Sequence, residues 1–187
     1  GWTYLALGDS NVYAPAEVCG SCTSYPHLLA ERITAELGVP VRLIDGSQWN
    51  KLTAMKLASE IEGNSWGDAS ENPHDAARPP RDAIAAADLI TITVAANEQP
   101  WFQDPDPCGG VYDQACIDSV VTPYRESLDR VLDEIETIRA GKPTAVLVTT
   151  LYNDTIPGPD HDPTWFYTIS IASLFRSKQR QCASMSC

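Results

Sequence analysis

The sequence is short of positive charge. Thirteen lysines and arginines stand against twenty-five aspartates and glutamates, a formal net charge of −12 at pH 7, with a pI near 4.5. No basic stripe exists to displace counterions from a phosphate backbone, which excludes a nucleic-acid partner. Long apolar runs are missing too, so no stretch reaches the roughly 20 residues that a membrane-spanning helix needs. No linker divides the chain, and 187 residues suffice for one domain, 1–187, with its own core. The chain opens directly on a strand pattern, so any export signal is expected to be already absent. Histidine is scarce, with only His27, His74 and His161.

Cysteine, by contrast, is plentiful. Its six residues fall in three close pairs, Cys19 with Cys22, Cys108 with Cys116, and Cys182 with Cys187. An even count in this spacing points to local disulfides and hence to an exported protein, although sequence alone cannot fix connectivity. Cys19-Gly20-Ser21-Cys22 also has the form of a redox dithiol, in which a helix N-terminus lowers a thiol pKa. That reading ranks second, because such a motif should follow a strand directly and here a loop of about ten residues intervenes. Zinc ranks lower still, since no CxxC is repeated and no histidine stands at ligand spacing.

Along the chain, short apolar runs alternate with helical patterns. Tyr4–Leu7 reads as a buried strand ending in Gly8-Asp9-Ser10. Tyr25 to Leu37 carries Leu28, Leu29, Ile33 and Leu37 on one helical face, and Gly38 supplies the stop. Val39 to Ile44 predicts a second strand closing at Asp45-Gly46-Ser47, and Leu52 to Ile61 a second helix. Residues 63–80 read as an irregular loop. Leu89 to Ala95 predicts a third strand, stopping at Ala96-Asn97-Glu98. Prolines, glycines and two cysteines between Gln99 and Cys116 indicate a disulfide-pinned excursion. Ile117 to Ile138 is the longest helical pattern, with Leu128, Val131, Leu132, Ile135 and Ile138 on one face, and Pro143 to Leu151 reads as a fourth strand.

This alternation implies an α/β fold, a three-layer α/β/α sandwich with a mainly parallel central sheet. In such a fold the loops beyond the strands' carboxyl ends share one edge, where ligands bind. Ser10, Gly46, Asn97 and the stretch after Leu151 would therefore converge. Asp9 and Ser10 alone would be read as helix caps; the convergence favours chemistry.

Gly8-Asp9-Ser10 near the start, Gly46 after the second strand and Asn97 after the third resemble the SGNH (GDSL) hydrolase family over about Trp2 to Tyr167. The resemblance implies an SGNH/flavodoxin-like sandwich and a serine esterase with Ser10 as nucleophile. Its oxyanion hole would comprise the Ser10 and Gly46 N–H groups and the Asn97 side chain, and no cofactor is implied. The physics is consistent: the hole needs donors, glycine permits close backbone approach, and a neutral amide donates without titrating. Two departures stand beside Asn97, with Ala95 and Glu98 where the family typically has glycine and aspartate. A third lies near the C-terminus, where the family's Asp-x-x-His motif, carrying the general base, has no counterpart. Residues 168–187 form an atypical tail, and the chain reads as a truncated or frameshifted member lacking its last strand. An exposed sheet edge would then favour a homo-oligomer.

Of the three histidines, His161 in Pro159-Asp160-His161-Asp162-Pro163 is best placed to act as base, because it follows the fourth strand among carboxylates that could hold one tautomer. His27 falls in a helix pattern and His74 in the irregular loop. The expected partner is a small acyl or acetyl ester, with an acylated carbohydrate as one form. A catalytically impaired remnant that binds or self-associates is the alternative. Trp49, Trp66, Trp101 and Trp165 are read chiefly as packing residues, with only Trp101 and Trp165 near strand ends.

Overall fold

The computed structural model describes residues 1–13, 23–49, 51–67, 78–100 and 103–149. Residues Gly1–Thr149 form one compact unit. Its centre is a parallel sheet of β1 (Trp2–Gly8), β2 (Val41–Ser47), β3 (Leu89–Thr93) and β4 (Ala145–Val148) in the order β2-β1-β3-β4. Leu7 lies beside Gly46 and Ile92, and Ile92 beside Val148. From β1 the chain steps outward to β2 and then back across β1 to β3. Right-handed crossovers consequently place the helix between β1 and β2 on one face and the later helices on the other.

The pleat sorts the strand residues accordingly. Tyr4, Ala6 and Leu89 meet Ala30, Leu29 and Ile33 of α2 (Tyr25–Leu37; the four-residue α1, Ser10–Tyr13, precedes it). Hydroxyls continue this face: Tyr4 Oη and Tyr25 Oη both bond Thr91 Oγ1, at 2.8 and 3.1 Å, and Tyr25 Oη reaches Thr93 Oγ1 at 2.8 Å. The opposite face is aliphatic, with Leu5, Leu7, Ile44, Ile90 and Ile92 all buried. Helices α3 (Ala54–Gly63), α4 (Pro80–Ala86) and α5 (Gln114–Ile138) contribute Leu57, Ile61, Ile84, Val131 and Ile135 to the core. Arg130 clamps Glu62 through contacts of 2.7 to 3.0 Å, and Arg81 pairs with Glu134, so the three helices are also joined at their rims.

Element boundaries differ from the sequence pattern for local reasons. Helix α3 starts at Ala54, not Leu52, because Thr53 caps it by accepting from the Lys56 N–H at 3.1 Å. Helix α5 begins three residues early: Asp113 accepts from the Cys116 N–H at 2.9 Å, and the Cys108–Cys116 disulfide ties this first turn to the excursion, as expected from the spacing. Helix α4 falls partly within the stretch that reads as a loop and carries no long periodic pattern; Pro80 opens it and Ala83 and Ile84 anchor it in the core. β2 begins at Val41, two residues late, and runs through Asp45 and Gly46 to Ser47, beyond its expected end. β3 stops at Thr93 and β4 begins at Ala145, two residues late.

Candidate functional site at the carboxyl edge

The sheet's carboxyl edge is built from the turns after β1, β2 and β3. Beyond Gly8 the ladder continues for one residue, with the Asp9 N–H donating to Thr93 O at 3.0 Å. Ser10 then opens α1, whose Val12 lies over Gly8; a Cβ on Gly8 would stand 2.3 Å from a Val12 methyl, so glycine is required there. The Asp9 side chain is fully buried. Its Oδ1 accepts from the Asn11 N–H at 2.9 Å, and its carboxyl also faces the Ala96 N–H. The Asp9 carboxyl thereby lies between the turn carrying Ser10 and the turn carrying Asn97. Burial pushes this carboxyl above the ordinary aspartate range, and the two N–H groups offset only part of that rise.

Ala96–Glu98 forms a single 3₁₀ turn entered through Ala95 at φ 132°, ψ −8°. Its internal bonds, Glu98 N–H to Ala95 O and Gln99 N–H to Ala96 O, are long at 3.3 and 3.4 Å. Two side chains reach out from it to the residues that start α3. Asn97 Nδ2 donates to Leu52 O at 3.0 Å, and Glu98 Oε1 accepts from the Ala54 N–H. The second Asn97 amide hydrogen is not used by that bond. Burial, reinforced by the nearby Asp9 charge, raises the Glu98 carboxyl to about 7, against the opposing pull of the Ala54 and Glu98 N–H groups. Tyr124 of α5, also facing Glu98 and Asp9, is pushed up to about 12, chiefly by burial.

Gly46 occupies a different position from the one expected. It is the sixth residue of β2, level with Leu7, rather than part of a turn after the strand. The Gln48 N–H donates to Gly8 O at 2.8 Å, and strand amides alternate sides, so the Gly46 N–H also turns toward β1 and away from the cleft. Its lack of a side chain serves packing: a Cβ would meet Ala6 O at 3.0 Å and the Trp66 ring at 3.2 Å. Trp66 is a core residue, as its type suggested, buried with its indole N–H on Arg78 O at 2.6 Å. Beyond Gly46, Ser47 Oγ donates to Asp45 Oδ1 at 2.5 Å, and Gln48 Nε2 donates to Glu60 Oε2 at 2.6 Å.

Ser10 and Asn97 therefore sit on adjacent turns, while Gly46 is withdrawn into the sheet. His161, His74, Trp101, Trp165 and the cysteines at 19, 22, 182 and 187 lie outside the described residues. His27 lies in the first turn of α2, its Nδ1 2.8 Å from Ser24 Oγ. Two residues of the site carried no catalytic weight in the sequence: Asp9, which read as a cap, and Glu98, which read as a departure beside Asn97. Their signal was placement alone, each being an acidic residue at a strand's carboxyl end. Among the described residues no group of three or more His, Cys, Asp or Glu could hold a metal ion, and no helix is long and apolar enough to cross a membrane.

No family model and no curated protein matches the chain. Its fold is similar to that of a lipase, Lip_vut3, from a goat rumen metagenome, with a TM-score of 0.62 and 18% identity over 82% of this chain and 65% of that one. An extracellular lipase from Streptomyces rimosus aligns with a TM-score of 0.43 and 19% identity, over 84% of this chain and 66% of that one. The chain thus spans a little under two thirds of the length of the lipases it matches. At this identity the likeness to the rumen lipase is one of fold.

Proposed function

We propose that the protein is a serine esterase of the SGNH type that hydrolyses short acyl or acetyl esters, acylated carbohydrates among them. The observation that carries the reading is Asp9: its buried carboxyl faces N–H groups from both turns, keeping Ser10 and the Asn97 amide at one edge of the sheet. In the proposed reaction Ser10 Oγ attacks the ester carbonyl while a base takes its proton. The carbonyl oxygen becomes an oxyanion received by the Ser10 N–H and the free hydrogen of the Asn97 amide. The alcohol leaves with a proton, and water then releases the acid from the acyl-serine. Gly46 has a supporting part, admitting Trp66 beneath the cleft; for its N–H to serve as a third donor, the end of the β2 ladder would have to open. The chemistry needs neither metal nor organic cofactor. The base is assigned to His161, and the protein to an oxidising, extracytoplasmic compartment, which the Cys108–Cys116 disulfide supports.

The test is hydrolysis of p-nitrophenyl acetate by the wild type, Ser10→Ala and His161→Ala. Loss of turnover by a factor of about 10³ or more in both variants is expected. Loss in Ser10→Ala alone would move the base elsewhere, and unchanged turnover in Ser10→Ala would reject the esterase reading. The second reading, a module that keeps the cleft without turnover, is favoured by His27 being engaged with Ser24. An inactive wild type that still binds acetylated sugars would establish it.

A further inference from the structure

The turn that presents Asn97 is poorly held by its own backbone. It is entered through a strained alanine, and its two internal bonds, at 3.3 and 3.4 Å, are longer than ordinary N–H···O bonds. Consequently, the direction of the Asn97 amide depends on what grips the turn from outside. Gln103 Nε2 reaches the Glu98 carbonyl at 2.7 Å, and the remaining grip on the α3 side comes from two consecutive side chains. Asn97 donates to Leu52 O and Glu98 accepts from the Ala54 N–H, so the pair spans Thr53 like the two prongs of a clamp. A single bond from Asn97 would leave the amide free to swing about it; the second attachment, two residues along the same segment, removes that freedom.

We propose that Glu98 is the positioning residue of the site, fixing the Asn97 amide against the start of α3 so that its second N–H is held where the oxyanion forms. The role rests on the esterase reading for its catalytic meaning, but the clamp itself does not. A glutamate suits this position because its carboxyl reaches an N–H that the first turn of α3 leaves without an intrahelical acceptor, and negative charge is favoured at that end of a helix. The groups that face it are the Asp9 carboxyl, from the turn after β1, and the Tyr124 phenol of α5. Glu98 Oε2 is buried without a hydrogen bond, so the carboxyl is kept in place at a cost in solvation that its bond to Ala54 alone does not explain.

The experiment compares Glu98→Gln, Glu98→Ala, Asn97→Ala and the double variant Asn97→Ala/Glu98→Ala in turnover of p-nitrophenyl acetate. Asn97→Ala should lower kcat by about 10²–10³. Glu98→Ala is expected to lower kcat by about tenfold or more with KM within about threefold, because only transition-state stabilisation is lost. Glu98→Gln, which still offers an oxygen to the Ala54 N–H, should recover most of that loss. With no amide left to aim, the double variant should be no slower than Asn97→Ala alone. Multiplying effects, a change confined to KM, or a Glu98→Gln variant as slow as Glu98→Ala would overturn the positioning role. Amide hydrogen exchange at Ala54 separates this result from a failure of the esterase reading. Exchange should quicken at least about tenfold in Glu98→Ala and be restored in Glu98→Gln; equal protection in the wild type and Glu98→Ala would reject the clamp even if Ser10→Ala showed that the protein is not an esterase.

Discussion

At the amino end of the sheet, polar groups are matched with partners, whereas at the carboxyl end several buried ones are not. Trp2 donates to Pro40 O and Asp88 to Thr3 O, and the Thr3 N–H finds the Asp88 side chain. Nearby, the buried Arg139 guanidinium gives its donors to Ala85 O, Thr144 Oγ1 and Pro143 O, sewing the ends of α4 and α5 to the start of β4. At the carboxyl end Asp9 Oδ2, Asp45 Oδ2, Gln48 Oε1 and Glu98 Oε2 are buried without hydrogen bonds. Two of the non-glycine residues with positive φ, Lys51 and Ala95, lie there too. Unmatched polar groups and strained backbone each cost about 1–3 kcal/mol and persist where the rest of the structure holds them in place. One end stabilises the fold, and the other spends part of that stability on an arrangement of donors and carboxylates suited to chemistry.

The sharpest way to break this contrast is at the matched end. Arg139→Ala would remove the bonds to Ala85 O, Thr144 Oγ1 and Pro143 O together with the packing of a buried side chain, and should lower stability by about 3 kcal/mol. Chemical denaturation checks the loss, and turnover per folded molecule should stay unchanged because Arg139 lies at the opposite end from Ser10. A comparable loss of turnover would mean that the two ends are not separable.

At the unmatched end the effect runs the other way. Glu98 titrates near 4.5 when solvated and near 7 in the fold. Below pH 4.5 both folded and unfolded chains hold the proton, and its burial costs no ionisation. As pH rises from 4.5 to 7 the unfolded chain releases it first, so stability falls, and above 7 the loss is complete at up to about 3 kcal/mol. Glu98→Gln should therefore be more stable than the wild type above pH 7, with the difference vanishing near pH 4.5. Melting temperatures across that range decide the matter; a difference independent of pH would place the carboxyl in water.

The matched end was the more legible in the sequence. Apolar runs at Tyr4, Leu43, Leu89 and Ala145 announced four strands, and their alternation with helical patterns announced a parallel sheet; burial on both faces demands such runs in the central strands, while β4 at the edge is half exposed. Helix α4 escaped notice because seven residues are too few to display a period. Ser10 and Asn97 were readable as polar residues at strand ends, and their adjacent turns agree with that order. Gly46 misled for a physical reason: glycine after an apolar run usually marks a turn, yet here it marks a close approach of Trp66 within the strand. Asp9 and Glu98 could not be read as a pair, since nothing in sequence joins residues 9 and 98 until the β1–β3 register sets their turns side by side.

Gly46 also offers a finer test of how tightly the carboxyl end is built. Gly46→Ala puts a methyl 3.0 Å from Ala6 O and 3.2 Å from the Trp66 ring. The carbonyl belongs to the central strand and cannot retreat, so a loss of about 1–2 kcal/mol in denaturation is expected. A neutral outcome would show that Trp66 moves freely, and that the ground beneath the cleft is soft.

The smallest effect expected is at Ala95. Its φ of 132° is a conformation open to glycine and strained for any residue with a Cβ. Ala95→Gly relieves that strain, worth about 1–3 kcal/mol, but also loses a buried methyl and enlarges the freedom of the unfolded chain. The first term should exceed the others by about 0.5–1 kcal/mol, a rise of roughly 2 °C in Tm. A lower Tm would mean that the methyl's packing outweighs the backbone strain, and the carboxyl end would then owe its cost to its unmatched carboxylates alone. If Tm rises while turnover falls, the alanine is retained because its strain, or the stiffness it brings, keeps the Asn97 turn from relaxing away from Ser10.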